Sequence, residues 1–233
     1  AGSPCLAGRR RAAAQRPPGR TRMNARASDA VLLLHGLWMN RFAMCYHARA
    51  LKHDGFAAET IGYRSMRDTL DANVRRLAKR VAGLDAPRVH LVGHSMGGVV
   101  VLRYLQRNPD ARIGRAVLLG APVAGCRAAE QFARLPGGRL LLGRSMSLWR
   151  GPFDTSLDSR HEVGVIAGTR PLGLGRIATR LPAPNDGVVC LDETRLPGMR
   201  DFLVLPLGHV AMLVSSGVAR QTAAFLETGA FRR

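Results

Sequence analysis

Ser95 sits at the centre of Gly93-His94-Ser95-Met96-Gly97, a G-x-S-x-G pattern with Gly98 directly behind it. Before it runs a short apolar stretch, Val89-His90-Leu91-Val92, which predicts a buried strand. After it Val99, Leu102, Tyr104 and Leu105 recur at roughly helical spacing, and Asn108-Pro109 supplies a stop. A serine held on a sharp strand-to-helix turn needs neighbours without side chains two positions away, so that the backbones can close up. Its hydroxyl then projects at the helix N-terminus, where free N–H groups can face a developing oxyanion. The pattern therefore predicts a nucleophile elbow with Ser95 as the attacking group. The competing reading is an ordinary glycine-rich turn ahead of a helix.

A serine hydroxyl is a weak nucleophile and needs a base, and the base needs an acid to fix its tautomer. On an elbow of this kind the acid and then the histidine follow the serine along the chain. Of the seven histidines, only His161 and His209 lie well downstream of Ser95. His161 precedes an expected strand and so falls at the wrong edge of the sheet. His209 follows the last expected strand through Pro206-Leu207-Gly208 and falls at the right one. For the acid, Asp186 in Pro184-Asn185-Asp186-Gly187 is preferred, although Asn-Asp-Gly is also good turn chemistry; Asp192, Glu193 and Asp201 stand as alternatives. His35-Gly36-Leu37-Trp38 closes the first clear strand, which places Leu37 to supply one oxyanion N–H beside that of Met96. His35 itself reads as a loop anchor.

These residues imply a particular scaffold. Ala30–Leu34, Phe56–Tyr63, Val89–Val92, Ile113–Leu119, Val163–Ala167 and Phe202–Leu205 read as strands. Ser65-Met66-Arg67-Asp68 reads as a capping box opening a helix with Leu70, Val74, Leu77 and Val81 on one face. Val218, Thr222, Phe225 and Leu226 mark a closing helix. Strands alternating with helices predict an α/β fold with a mostly parallel sheet covered on both faces. Val123 to Ser159 breaks this rhythm. Its Leu140, Leu141, Leu142, Met146, Leu148, Trp149 and Phe153 follow no clean period, and Gly137, Gly138, Gly143 and Gly151 are placed as hinges. Residues 123–159 are expected to form a lid or cap with Trp149 as a substrate-binding residue; the alternative is a helix pair packed permanently on the sheet.

Composition narrows the class. A chain of 233 residues, 46% hydrophobic, can bury one large domain, expected over residues 28–233. No apolar run reaches the roughly 18 residues of a membrane span. The net charge is +19, from 35 basic and 16 acidic residues, and Lys52 and Lys79 are the only lysines. Arginines concentrate only in residues 1–27, which lack hydrophobic periodicity and are expected to be a disordered basic segment; Met23 is a second candidate start. That segment has no apolar core of a secretory signal peptide. No nucleic-acid recognition motif accompanies the charge, so specific nucleic-acid binding is not expected. Cys5, Cys45, Cys126 and Cys190 form neither a disulfide framework nor a metal-ligand spacing, which fits a reducing, cytoplasmic location. No carboxylate cluster of the kind that holds calcium is evident, and no cofactor or metal is expected.

Together HGLW, GHSMGG, NDGVV and LGHVAMLVSS resemble the α/β-hydrolase superfamily, and within it the small bacterial lipases and esterases. The resemblance runs from about Ala30 to the C-terminus. It implies Ser95 as nucleophile, His209 as base, Asp186 as orienting acid, and an oxyanion hole from Leu37 and Met96. The expected activity is hydrolysis of small-molecule or lipid carboxylic esters through an acyl-enzyme; the basic charge separately admits transient contact with a membrane surface. A thioesterase or acyltransferase would use the same three groups, and a non-catalytic basic binding protein on this scaffold is a further alternative.

Overall fold

Apolar residues alternate in which face they serve along each central strand, and this alternation builds two cores from one sheet. A computed structural model describes residues 29–149, 154–172 and 180–233. The expected basic segment, Gly151, Phe153, Gly173 and Gly175 lie outside the described residues. Six strands are present: β1 (Ala30–Leu34), β2 (Ala57–Ile61), β3 (Val89–His94), β4 (Ile113–Leu119), β5 (Glu162–Gly168) and β6 (Asp201–Leu205). They pair in the order β2-β1-β3-β4-β5-β6, and every pairing is parallel. Leu32, Leu34, Leu91 and Leu118 face one side, against helices α2 (Leu70–Ala82) and α3 (Met96–Arg107). Val31, Leu33, Val92 and Val117 face the other, against α1 (Cys45–His53) and α6 (Ser216–Thr228). The α/β-hydrolase fold expected from the sequence is the fold observed.

Strand order reverses between β1 and β3, because the chain leaves β1 outward to β2 and returns on the far side. Loops at such a reversal diverge and leave a crevice beyond the carboxyl ends of the strands. The HGLW loop and the Ser95 turn leave that same crevice, with Leu34 of β1 paired to Gly93 of β3.

Two elements differ from expectation. The cap of α2 is Thr69, whose hydroxyl accepts from the Ala72 N–H at 3.3 Å, and not Ser65. Ser65 to Asp68 form a turn in which the Asp68 N–H donates to the Arg64 carbonyl, and Asp68 pairs with Arg76. Helix α1 carried no sequence prediction. Its buried face is His47, Ala48 and Leu51, so Leu51 is the one large apolar residue that marks it.

The 123–159 region holds two short helices, α4 (Arg127–Phe132) and α5 (Gly138–Leu142), then a 3-10 turn over Gly143–Trp149. It divides its apolar residues sharply. Leu142, Leu148 and Trp149 are buried, whereas Leu140 and Leu141 are 82% and 51% exposed. Leu148 and Trp149 pack with Cys126, Ala128 and Ala129 onto Met96 and Val99 of α3.

Candidate active site

Ser95 has φ 54° and ψ −125°, a conformation L-residues rarely adopt, and it is paid for by glycine contacts on every side. A Cβ on Gly93 would lie 2.5 Å from Gly98, and one on Gly97 would lie 2.6 Å from the carbonyl oxygens of Leu34 and His35. A Cβ on Gly98 would collide with Ala121. The strand, turn and helix can therefore close only with glycine at these three positions. The Ser95 N–H donates to Leu119 O at 2.8 Å, which ties the turn to β4. Ser95 precedes the first turn of α3, a turn without acidic residues, so the positive end of the helix dipole faces the hydroxyl. The N–H of Met96, first in the helix, has no carbonyl four residues back to bond.

The loop after β1 lies against this turn. A Cβ on Gly36 would be 3.1 Å from Ser95 Cβ and 3.2 Å from His94 Nδ1, so Leu37 follows at the rim of the site. His35 stacks on Tyr63 with ring centroids 4.3 Å apart, and its Nδ1–H donates to the Gly36 carbonyl at 2.8 Å. Desolvation holds His35 below its ordinary pKa, with the Gly36 bond acting against the shift. It anchors the loop. Trp38 takes φ 60°, and its indole N–H donates to Leu141 O at 2.8 Å, joining the loop to α5.

Asp186 and His209 meet from loops after β5 and β6. His209 Nδ1–H donates to Asp186 Oδ2 at 2.7 Å, and the His209 N–H donates to the Asp186 carbonyl at 2.8 Å. The other carboxylate oxygen, Oδ1, accepts from the N–H groups of Val188 at 2.9 Å and Val189 at 2.7 Å. Both side chains are buried. Asn185 and Gly187 make the turn: Asn185 Oδ1 accepts from the Gly187 N–H at 2.9 Å, and Gly187 takes φ 97°. Turn chemistry and carboxylate placement are thus properties of the same tripeptide. Gly120, after β4, leaves room for the pair, since a Cβ there would lie 3.1 Å from Asp186 Oδ2 and 3.2 Å from His209 Nδ1.

The alternative acids are committed elsewhere. Asp192 forms a two-pronged pair with Arg127 at 2.8 and 2.7 Å. Glu193 is buried and accepts from the N–H groups of Arg127 and Cys190 at 2.6 and 2.8 Å, and burial raises its pKa. Asp201 accepts from the Phe231 N–H at 2.8 Å. His161 stands before β5, at the opposite edge from Ser95. Trp149 is 3% exposed, with its N–H donating to Ser145 Oγ at 3.3 Å, so it fills the cluster beneath Met96.

Two histidines that the sequence reading did not single out brace His209. His94 Nε2–H donates to the His209 carbonyl at 3.1 Å, and the two rings lie 4.7 Å apart. His47 Nε2–H donates to the Met212 carbonyl at 2.8 Å, just beyond it in the chain. Desolvation, then the neighbouring His209, lowers the His94 pKa well below 6.5, and desolvation lowers that of His47. Both therefore serve as neutral donors. Nothing but adjacency to Ser95 marks His94 in the sequence.

Among the described residues no group of three or more His, Cys, Asp or Glu is arranged to hold a metal ion. Nor is any helix among them long and apolar enough to cross a membrane.

The fold has counterparts among solved structures. The mature lipase BlEst2 of Bacillus licheniformis superposes with a TM-score of 0.65 at 17% identity, covering 87% of this chain and 92% of that one. The metagenomic carboxyl esterase MGS0156 gives 0.62 at 19% identity, over 94% and 81% of the two chains. In sequence, 97 residues are 37% identical to a 2-hydroxy-6-oxononadienedioate/2-hydroxy-6-oxononatrienedioate hydrolase of Paraburkholderia xenovorans (strain LB400). That match takes in 41% of this chain and spans 31% of the relative's length. Residues 31–225 match the alpha/beta hydrolase family, and the chain belongs to it.

Proposed function

We propose that the protein is a serine hydrolase that cleaves carboxylic esters through an acyl-enzyme on Ser95. The observation that carries the reading is the 2.7 Å bond from His209 Nδ1 to Asp186, at the same sheet edge as a serine in a forced elbow conformation. Asp186 keeps the His209 proton on Nδ1, which leaves Nε2 as the basic nitrogen. Nε2 takes the Ser95 proton as Oγ attacks the ester carbonyl. The tetrahedral oxyanion is met by the N–H groups of Met96 and Leu37, and the alcohol departs with the proton from His209. A water molecule, activated by the same nitrogen, then releases the acid. The reading takes residues 28–233 as the hydrolase unit, 123–159 as a cap beside the site, and the cytoplasm as its location.

A series of p-nitrophenyl esters of increasing acyl length tests this. Wild type should turn over at least part of the series, and Ser95→Ala and His209→Ala should each lose about 10⁴-fold or more in kcat with the fold intact. Equal turnover in Ser95→Ala would reject the reading. The local match to the Paraburkholderia protein favours a second reading on the same side chains, hydrolysis of a 2-hydroxy-6-oxo dienedioate, so that substrate belongs in the series.

A further inference from the structure

Among the described residues ten large apolar side chains are exposed, and several lie on the loops just beyond the carboxyl ends of the strands, the edge that carries Ser95. Trp38 and Phe42 follow β1, Leu140 and Leu141 lie between β4 and β5, Leu172 follows β5, and Val210 follows β6 next to His209. They surround Ser95 on two sides. Trp38 is bonded to Leu141 and meets Phe132 edge-on at 5.5 Å, while Leu172 reaches within 3.3 Å of where a Gly208 side chain would stand. Apolar side chains gathered at one face, while the others stay charged, mark a docking surface.

Charge follows the same axis in part. Around the amino ends of the strands Arg80 pairs with Glu59, Arg112 with Asp110 and Arg115 with Glu162, while Arg195 there lies over Phe202 at 4.7 Å; beyond the carboxyl ends Arg127 pairs with Asp192. On the segments beyond the carboxyl ends, Arg41, Arg64, Arg67, Arg134, Arg139 and Arg170 are exposed and form no ion pair with a described carboxylate. Arg41 lies over the Phe42 ring at 5.1 Å, so cation and apolar ring occupy one spot. We propose that this face docks on an anionic lipid bilayer, with the apolar rim entering the boundary between headgroups and acyl chains and the unpaired arginines meeting lipid phosphates. The proposal builds on the Ser95 reading, because it brings that site's mouth to the lipid. Adsorption needs no hydrolysis, however, so the two can fail separately.

The test uses the full chain carrying Ser95→Ala, with vesicles of phosphatidylcholine alone or mixed equally with phosphatidylglycerol. Sedimentation should show adsorption to the anionic vesicles at least about tenfold stronger than to the neutral ones, weakening as salt rises. Leu140→Ser should lower it about tenfold, and the Arg134→Ala/Arg139→Ala pair by about 25-fold, or roughly fivefold for each arginine. In a Ser95 background both variants should keep short-chain ester turnover and thermal stability. The chain has two tryptophans, and only Trp38 is exposed, so its emission should shift to the blue on anionic vesicles and Trp38→Phe should abolish the shift. Equal adsorption to both vesicles, or an unshifted emission, would overturn the proposal. So would adsorption unaltered by Leu140→Ser and the arginine pair, which would assign it to the seven arginines of residues 1–28. A lipid-free dimer that Leu140→Ser dissolves, without vesicle binding, would give the face to a second copy.

Discussion

The Ser95 turn and the 123–159 region lie side by side and are held in opposite ways. At the turn, backbone meets backbone: Gly93, Gly97 and Gly98 admit no added atom, and the whole of β3 is buried. The neighbouring region is tied by discrete polar links. Arg127 bonds Asp192 and Glu193, Gln131 exchanges bonds with Arg180 at 3.0 and 2.9 Å, and Trp38 reaches Leu141. Among its described residues apolar burial is confined to the small cluster around Leu148 and Trp149, to Leu142, and to Val123 and Leu157 against the sheet's core. Glycine at the turn has a single reason to be there, close approach. Glycine in the neighbouring region has several: a side chain on Gly138 would strike the Phe132 carbonyl, while one on Gly137 would meet open space. Where backbones must touch, residue type follows from geometry; where a segment is pinned at a few points, many sequences would serve.

Variants separate the two regions further, beginning with the largest effect. Asp186→Asn should keep the fold but lower kcat about 10⁴-fold, through the wrong His209 tautomer, whereas Glu193→Gln should stay within about tenfold of wild-type kcat and lose about 1–3 kcal/mol of stability. Steady-state kinetics beside chemical denaturation measure both. If Glu193→Gln were the inactive one, the roles of the two carboxylates would be exchanged. Next, Trp149→Ala should cost about 3–5 kcal/mol, and Leu140→Ala less than about 0.5 kcal/mol, despite their shared segment. A Trp149→Ala protein of near wild-type stability but altered acyl-length preference would return Trp149 to the pocket. The smallest effect is in pH. His94, His47 and His35 have folded pKa values below 6.5, while the unfolded chain takes up protons near 6.5. Their contribution is full above that pH and is lost as pH falls below it. Thermal melts should show the decline, and His94→Gln should make it shallower by up to about 1.4 kcal/mol per pH unit.

Much of this contrast could be read from the chain. The strands declare themselves because β1, the Leu91-Val92 centre of β3 and the Ala116–Leu119 half of β4 are buried on both faces and so read as short apolar runs. The elbow declares itself because its glycines are spaced by contact. Helix α1 does not, since a histidine and an alanine do the work of apolar residues on its buried face. The split of Leu140 and Leu141 from Leu142, Leu148 and Trp149 is invisible to periodicity, because α5 is too short to show a period before the 3-10 turn begins. Order along the chain admits Asp186, Asp192, Glu193 and Asp201 alike; the 2.7 Å pairing of Asp186 with His209 is a tertiary fact. So is the brace from His94, which spans 115 residues.

The central claim is a nucleophilic Ser95, and an active-site-directed fluorophosphonate probe tests it most directly. Folded protein should gain one probe mass, mapping by peptide analysis to the segment that contains Ser95. Heat-unfolded protein and Ser95→Ala should gain none, and His209→Ala should label far more slowly. Labelling of Ser95→Ala at the wild-type rate, or no label on Ser95 in the folded protein, would contradict the account.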